Sequence, residues 1–199
     1  MKKIIAIGTK NPENHPLSNI YTLKELLNGY NLSFNENHDD FLKTSDFDMV
    51  ISYVDAWENP LLDSHIDAIQ RYIQNGGRML VFHNGISMND KSQINEIIGG
   101  RFTGHPDSFN LIVEIVKNHS VTNGISDFTV FDEPYQFEIN DDINFFAQYE
   151  INGKKIPAAW EKRCGEGTVV YLMPGHDSSV FENEMYKKMI KNAIEYLCQ

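Results

Sequence analysis

The sequence predicts an α/β fold with a mostly parallel sheet and a β-rich insertion before the last parallel strand. Over the first half of the chain, short apolar runs alternate with stretches of helical period, which is the pattern of strand–helix–strand units. After Gly100 the pattern changes to short strands separated by turns, and a continuous apolar run then returns at 168–173. We expect residues 1–199 to form one domain.

The first half contains four strand candidates and two helix candidates. The first helix is expected at 19–27, where apolar residues recur with helical spacing before an Asn-Gly stop. The second is expected at 61–75, with Asn59 as its cap, Pro60 at its first position and glycines at its end. The strand candidates are 3–8, 31–34, 46–54 and 78–82.

The second half is expected to contain strands at 111–117, 128–138, 144–150 and 155–161, then the buried strand 168–173 and a closing helix at 183–197. Asn152-Gly153 is a strong hairpin signal. Pro134 interrupts the second of these strands, which predicts a sheet edge or a bulge there because proline cannot donate to the ladder.

Composition excludes several classes of partner. The chain has 17 Lys and Arg against 28 Asp and Glu, a formal net charge of −11, which argues against nucleic-acid and anionic-membrane binding. Two cysteines are too few for a disulfide framework and lack a metal-ligand spacing. No apolar run approaches the roughly 20 residues that cross a bilayer. We expect a cytoplasmic protein, and a homodimer is a candidate state because dimers are common.

Three histidines follow apolar runs: His15, His83 and His176. Ligands of open α/β sheets bind beyond the carboxyl ends of the strands, and histidine suits proton transfer or metal ligation near neutral pH. A polar site is therefore expected at this edge of the sheet. His83 directly ends a strand, which is the form of a strand-to-helix elbow. The plainer alternative is a histidine that caps a strand end through backbone hydrogen bonds.

Further candidates lie near Pro134 and in nearby loops. Adjacent residues of a strand face opposite ways, so only one of Asp132 and Glu133 should face a given pocket; a solvated edge is the alternative. The catalytic candidates are His83, His176 and Glu133, and the substrate-binding candidates are His15, Asn84, His105, Asp132 and Tyr135.

The remaining histidines are expected to be structural. His119 has the surroundings of a capped turn, and His38 and His65 are expected at the surface. The chain has no G-x-G-x-x-G, Walker, G-x-S-x-G or H-E-x-x-H motif. The residues alone therefore indicate where a site lies and leave its reaction open.

Five segments in order carry a resemblance over nearly the whole chain: LVFHNG at 80–85, IIGGRFTGHP at 97–106, KNHSVTNGI at 117–125, FDEPYQF at 131–137 and AAWEKRCGEGTVVYLMPGH at 158–176. With the closing helix, they resemble the trehalose-utilisation (ThuA-like) family. The resemblance implies the flavodoxin-like, three-layer fold of class I glutamine amidotransferases, and a role in carbohydrate metabolism. In those amidotransferases the elbow residue is a nucleophilic cysteine. His83 occupies that position here, so a thiol ester cannot form and glutaminase activity is excluded.

Three hypotheses follow. In the first, the protein processes a sugar or an oxidised sugar derivative with His83 and His176 as acid/base groups, while Glu133 and Tyr135 orient the substrate. In the second, a divalent metal such as zinc is held by Glu133 together with His83, His105 or His176. In the third, the protein is a non-catalytic sugar-binding or regulatory module, whose aromatic residues stack on sugar rings.

Overall fold

The structure is a computed structural model that describes residues 1–10, 12–55, 57, 59–88 and 91–199. Four α-helices lie in the described residues: α1 (Leu23–Leu26), α2 (Asp63–Gln74), α3 (Ser92–Ile98) and α4 (Glu184–Leu197). Short 3-10 turns lie at Leu17–Ile20, His38–Asp46, His83–Ser87, Ser120–Thr122 and Val180–Glu182. The strands are β1 (Lys3–Gly8), β2 (Asn31–Asn35), β3 (Met49–Tyr53), β4 (Arg78–Phe82), β5 (Gly100–Gly104), β6 (Phe109–Ile115), β7 (Phe128–Asp132), β8 (Gln136–Ile139), β9 (Asn144–Ile151), β10 (Lys154–Cys164) and β11 (Gly167–Leu172).

Nine of these strands form one mixed sheet in the order β2-β1-β3-β4-β11-β10-β9-β6-β7. The strands from β2 to β11 are parallel, and those from β10 to β7 pair antiparallel. The antiparallel strands are the predicted β-rich insertion, which extends the sheet beyond β11. β5 and β8 pair separately. The predicted α/β fold class is confirmed.

Helical elements cover both faces of the sheet. On one face Trp160 lies beside Tyr171 in register, and the Trp160 Nε1–H donates to the carbonyl of Ile98 in α3 at 2.7 Å. On the other face the ring of Phe82 contacts that of Phe181, which precedes α4, at 5.5 Å between centroids. Because β4 pairs in parallel with both β3 and β11, the carboxyl ends of these three strands lie side by side.

Two local expectations are wrong. Helix α2 begins at Asp63, three residues after Pro60, and its first turn is closed by a hydrogen bond from the Leu62 N–H to His65 Nδ1 at 3.3 Å. His65 is buried and its Nε2 lies 3.0 Å from Asp39 Oδ1. The expected surface position fails because the 3-10 turn at His38–Asp46 packs over this end of α2. His38 itself is half-buried.

Three other local predictions are met in part or in full. The expected helix at 19–27 is interrupted, with a 3-10 turn at Leu17–Ile20 followed by the single turn of α1. The strand predicted at 128–138 divides at Pro134 into β7 and β8, and β7 is an edge strand of the sheet. His119 caps a turn by accepting the Val121 N–H through Nδ1 at 3.2 Å.

A buried carboxylate beneath α4 makes stability depend on pH. Glu161 accepts hydrogen bonds from Tyr196 and, at 2.8 Å, from Arg163, and its Oε2 lies 3.3 Å from His119 Nε2. The His119 bond, helped by those from Tyr196 and Arg163, outweighs burial and lowers the pKa of Glu161 to about 2. A lowered folded-state pKa stabilises the fold above the unfolded value of about 4.5, and that contribution disappears as the pH falls through 2.

We therefore expect Glu161→Gln to lower the free energy of unfolding at pH 7 by about 2 kcal/mol. The difference from the wild type should shrink steadily as the pH falls below 5. Urea unfolding across this pH range measures it, with Glu150→Gln as the control because Glu150 is exposed on the neighbouring strand β9. An unchanged difference at low pH would contradict the assignment of this network.

Candidate functional site

The elbow after β4 buries His83 completely. His83 has a positive φ of +35°, and its carbonyl accepts the Tyr171 hydroxyl at 3.0 Å. Its Nδ1 lies 2.8 Å from the carbonyl oxygen of Met173. At residue 85 a side chain would lie 2.9 Å from the Ser52 oxygen, so glycine lets the turn approach β3. The elbow is thus held against β3 and β11, and the His83 ring is hydrogen-bonded to the residue that follows β11.

The loop after β11 is fixed from beneath by a buried carboxylate. Asp132 Oδ2 accepts the Gly175 N–H at 2.7 Å, and Oδ1 accepts the N–H groups of His176 at 3.1 Å and Glu133 at 2.8 Å. The Tyr53 hydroxyl donates to the Gly175 carbonyl at 2.6 Å. These bonds set the position of His176 beside the elbow.

Glu133 lies at the centre of the histidines. Its Oε2 is 3.2 Å from His176 Nδ1, 3.6 Å from His105 Nε2 and 3.8 Å from His83 Nε2. The side chain is 18% exposed, against 28% for His176 and 34% for His105. Glu133 therefore joins the buried floor of the site to its open side.

His15 completes the group although its loop lies far away in the sequence. It is buried, has a positive φ of +56°, and its Nε2 lies 3.0 Å from His176 Nδ1. Its Nδ1 is 3.6 Å from Asp55 Oδ2. The three strand-end histidines of the sequence therefore meet, with Glu133 among them.

Burial and neighbouring charges set the protonation of this site. Burial lowers the pKa of His83 to about 4 and also lowers the pKa of His176. Burial opposes ionisation of Glu133, but the nearby imidazoles of His83, His176 and His105 lower its pKa below the usual value. At neutral pH His83 and His176 are therefore neutral imidazoles beside the Glu133 carboxylate.

Three of the predicted substrate-binding residues are buried beneath the cluster of histidines and Glu133. Asn84 is buried and its Nδ2 donates to the Tyr53 carbonyl at 3.2 Å and to Asp55 Oδ2 at 3.3 Å. Both oxygens of Asp132 accept backbone N–H groups. These hydrogen bonds lower the pKa of Asp132, but burial has the larger effect and raises it to about 7. Tyr135 is buried, with its ring centroid 4.0 Å from that of His83.

The open side of the site carries an aromatic wall made of Trp57 and Phe102. Trp57 is 54% exposed, and its ring lies 5.9 Å from that of His15 and 6.1 Å from that of Phe102. Phe102 in turn lies 6.0 Å from the ring of His105. Sequence reasoning missed Phe102 and Asp55, although Asp55 follows β3 and so carries the strand-end signal that identified the histidines.

The fold and the site define a class of α/β protein whose ligand groups lie at the carboxyl ends of a parallel sheet, with histidine at the elbow. Within that class, the chain belongs to the ThuA family, described as trehalose utilisation, whose model matches residues 5–197. The resemblance stated from the sequence is confirmed. The family description indicates a carbohydrate-related role.

Solved structures agree with this fold. A ThuA-like protein from Bacteroides uniformis has a TM-score of 0.83 at 19% identity, covering 98% of this chain and 91% of its own. One from Parabacteroides merdae also has a TM-score of 0.83, at 15% identity, with coverages of 100% and 90%. The cytoplasmic protein STM3548 from Salmonella typhimurium has a TM-score of 0.72 at 17% identity and covers 98% of each chain. A sequence search of curated proteins gave no match.

None of the helices among the described residues is long and apolar enough to span a membrane.

Proposed function

We propose that this protein binds and transforms a sugar or an oxidised sugar derivative at the ends of β3, β4 and β11. The observation that carries the proposal is a carboxylate, Glu133, placed within 3.8 Å of three imidazole nitrogens and beside an exposed aromatic wall. The family's description as trehalose utilisation supports the carbohydrate class. A cytoplasmic location belongs to the same proposal and is supported by the cytoplasmic Salmonella relative.

The aromatic wall gives the site a surface for a sugar ring. Trp57 presents half of its side chain to solvent beside His15, and Phe102 continues the surface toward His105. Aromatic rings combine a large apolar contact area with limited conformational freedom, which suits the C–H faces of sugars. A ring stacked there would direct its hydroxyl and carbonyl groups toward Glu133.

The reactive groups are His83, His176 and Glu133. A carboxylate and neutral imidazoles accept protons near pH 7, and this suits proton removal next to a carbonyl or hydrolysis of an activated glycoside. His176 and Glu133 are partly exposed, so a bound sugar reaches both of them. His105 lies at the same opening, with its Nε2 3.6 Å from Glu133 Oε2, and binds a substrate hydroxyl.

Screening oxidised and unmodified disaccharides for product and for melting-temperature shifts tests this proposal. We expect one sugar class to stabilise the protein and to be converted. Stabilisation without product would overturn the enzymatic part and support the sugar-binding module instead. No response from any carbohydrate would overturn the proposal.

We expect Trp57→Ala to raise KM for that sugar about 5-fold, because stacking on an aromatic ring contributes on the order of 1 kcal/mol. The value of kcat should change little, since the reacting groups stay in place. Steady-state kinetics measure both values. Tyr21→Ala is the matched control, because Tyr21 is a comparably exposed aromatic residue that packs on Phe34 instead. Equal KM values for the two variants would remove the stacking role.

A further inference from the structure

Four side chains of the site each offer one donor atom to a common space, and all these atoms lie within 4.8 Å of one another. We call this set the quartet: His15, His83, Glu133 and His176. We propose that the quartet binds one divalent metal ion, with zinc as the ion that its nitrogen and oxygen donors fit best. The inference rests on the proposed function for its purpose, because it names a cofactor for the same site.

The first argument is the tautomer of His83. The carbonyl of Met173 only accepts hydrogen bonds, so His83 Nδ1, at 2.8 Å from it, carries the hydrogen. The lone pair of the neutral ring is then on Nε2, which is buried and has no hydrogen-bond partner among the described residues. It faces the Glu133 carboxylate, a second acceptor, at 3.8 Å. A cation between them satisfies both groups, whereas two facing lone pairs are unfavourable when buried.

The second argument is the arrangement around His15. Asp55 Oδ2 lies 3.6 Å from His15 Nδ1, longer than a hydrogen bond, and the negative charge of this carboxylate favours the tautomer with the ring hydrogen on Nδ1. The lone pair of Nε2 then faces the quartet, 3.0 Å from His176 Nδ1. Ligating histidines in proteins commonly donate their other N–H to a carboxylate or a backbone carbonyl. His83 has this arrangement with the Met173 carbonyl, and His15 has the Asp55 carboxylate on the corresponding side of its ring at a longer distance.

The third argument is backbone strain. Among the described residues, three non-glycine residues have a positive φ, and two of them are His15 and His83. The third, Asn152, lies in a hairpin turn where asparagine accepts that conformation. A histidine held in this region is strained, and such strain is concentrated at functional sites. Here it brings both imidazoles into the same space.

The distances and the donor types favour zinc. Bonds of about 2.0–2.1 Å in a tetrahedral site place neighbouring donors about 3.3 Å apart. In the quartet, His176 Nδ1 is 3.0 Å from the His15 nitrogen and 3.2 Å from the Glu133 oxygen. His15 and His83 form the buried side, while Glu133 and His176 are partly exposed. When bound, the ion would supply a Lewis acid beside the aromatic wall, where it would polarise an oxygen of the sugar.

The test is zinc binding by the full chain, purified without an affinity tag and stripped with EDTA. Calorimetric titration with zinc chloride should show one ion per chain, and zinc should raise the melting temperature. His83→Asn and His15→Asn should each weaken zinc binding by at least about 100-fold, because one of four donors is lost. Asparagine tolerates the positive φ of both positions, and in His83→Asn the introduced amide retains a donor toward the Met173 carbonyl.

Two further variants, one inside and one outside the quartet, test whether zinc binding depends on the quartet itself. Glu133→Gln removes a charged donor at a partly exposed position and should also weaken zinc binding, so the proposal does not depend on a variant that folds poorly. His105→Asn should retain one zinc per chain, because His105 lies outside the quartet. Zinc binding that is equal in the wild type and His83→Asn, or that is lost only in His105→Asn, would overturn the proposal.

Different results would contradict the metal proposal and the proposed function. Stoichiometric zinc binding that depends on the quartet, with no response to any sugar, would retain the metal site and reject the carbohydrate role. Conversion of a sugar at an undiminished rate by the EDTA-stripped chain would retain the carbohydrate role and reject the ion as its cofactor.

Discussion

Asp132→Ala is expected to lower the free energy of unfolding by about 3–5 kcal/mol, because it removes the acceptor of three backbone N–H groups. Those groups belong to Glu133, Gly175 and His176, and the carboxylate that binds them is almost wholly buried. The methyl group that replaces the carboxylate accepts no hydrogen bond, so all three N–H groups lose this partner. Urea unfolding at pH 7 gives the value directly.

Asp132→Asn is the matched control for this prediction. Its amide oxygen retains the acceptor that serves Glu133 and His176, whereas the N–H of Gly175 loses the partner that Oδ2 provided at 2.7 Å. We expect a loss of about 1–2 kcal/mol, between the wild type and the alanine variant. If the alanine variant were as stable as the wild type, Asp132 would be free for the substrate-binding role predicted from the sequence.

Glu133→Gln is expected to lower kcat by about 100- to 10,000-fold, the range usual for loss of a group that moves protons in the transition state. The substitution preserves the shape of the side chain and removes its charge from among three histidines. Because Glu133 is partly exposed, the free energy of unfolding should change by less than about 1 kcal/mol. Turnover of the sugar found by the screen, measured beside urea unfolding, separates these two effects.

Glu138→Gln provides the control for Glu133→Gln. Glu138 lies on β8, pairs with Arg101 at the surface and does not belong to the quartet. It should retain full turnover. Turnover in Glu133→Gln within a few-fold of that in Glu138→Gln would show that the carboxylate has no part in the reaction.

The sequence predicted the elements that depend on local chemistry. The apolar runs that became β1, β3, β4 and β11 are identifiable because parallel strands are buried on both faces and carry few polar residues. The start of a helix was predicted wrongly where a side chain other than the expected cap closed its first turn. Helix α2 starts at Asp63 and not beside Pro60, because the His65 side chain closes its first turn.

The candidate site was predicted only in part. Its edge of the sheet follows from the sequence, because the carboxyl ends of parallel strands coincide. The partners of His15 could not be predicted from the sequence, because its loop contacts Asp55 and His176 only in the tertiary structure. Phe102 gave no signal, because it is one aromatic residue in a short strand that pairs outside the main sheet.

The sequence by itself determined the α/β class, the histidine at the end of β4, and the carboxylate pair beside Pro134. These follow from periodicity and residue type, which act over a few residues. Only the tertiary structure decided that Glu133 faces the histidines while Asp132 binds the backbone, and that His83 presents Nε2 to the site. The reason is physical: hydrogen-bond partners and donor separations are set where distant loops pack together, and no local pattern encodes those distances.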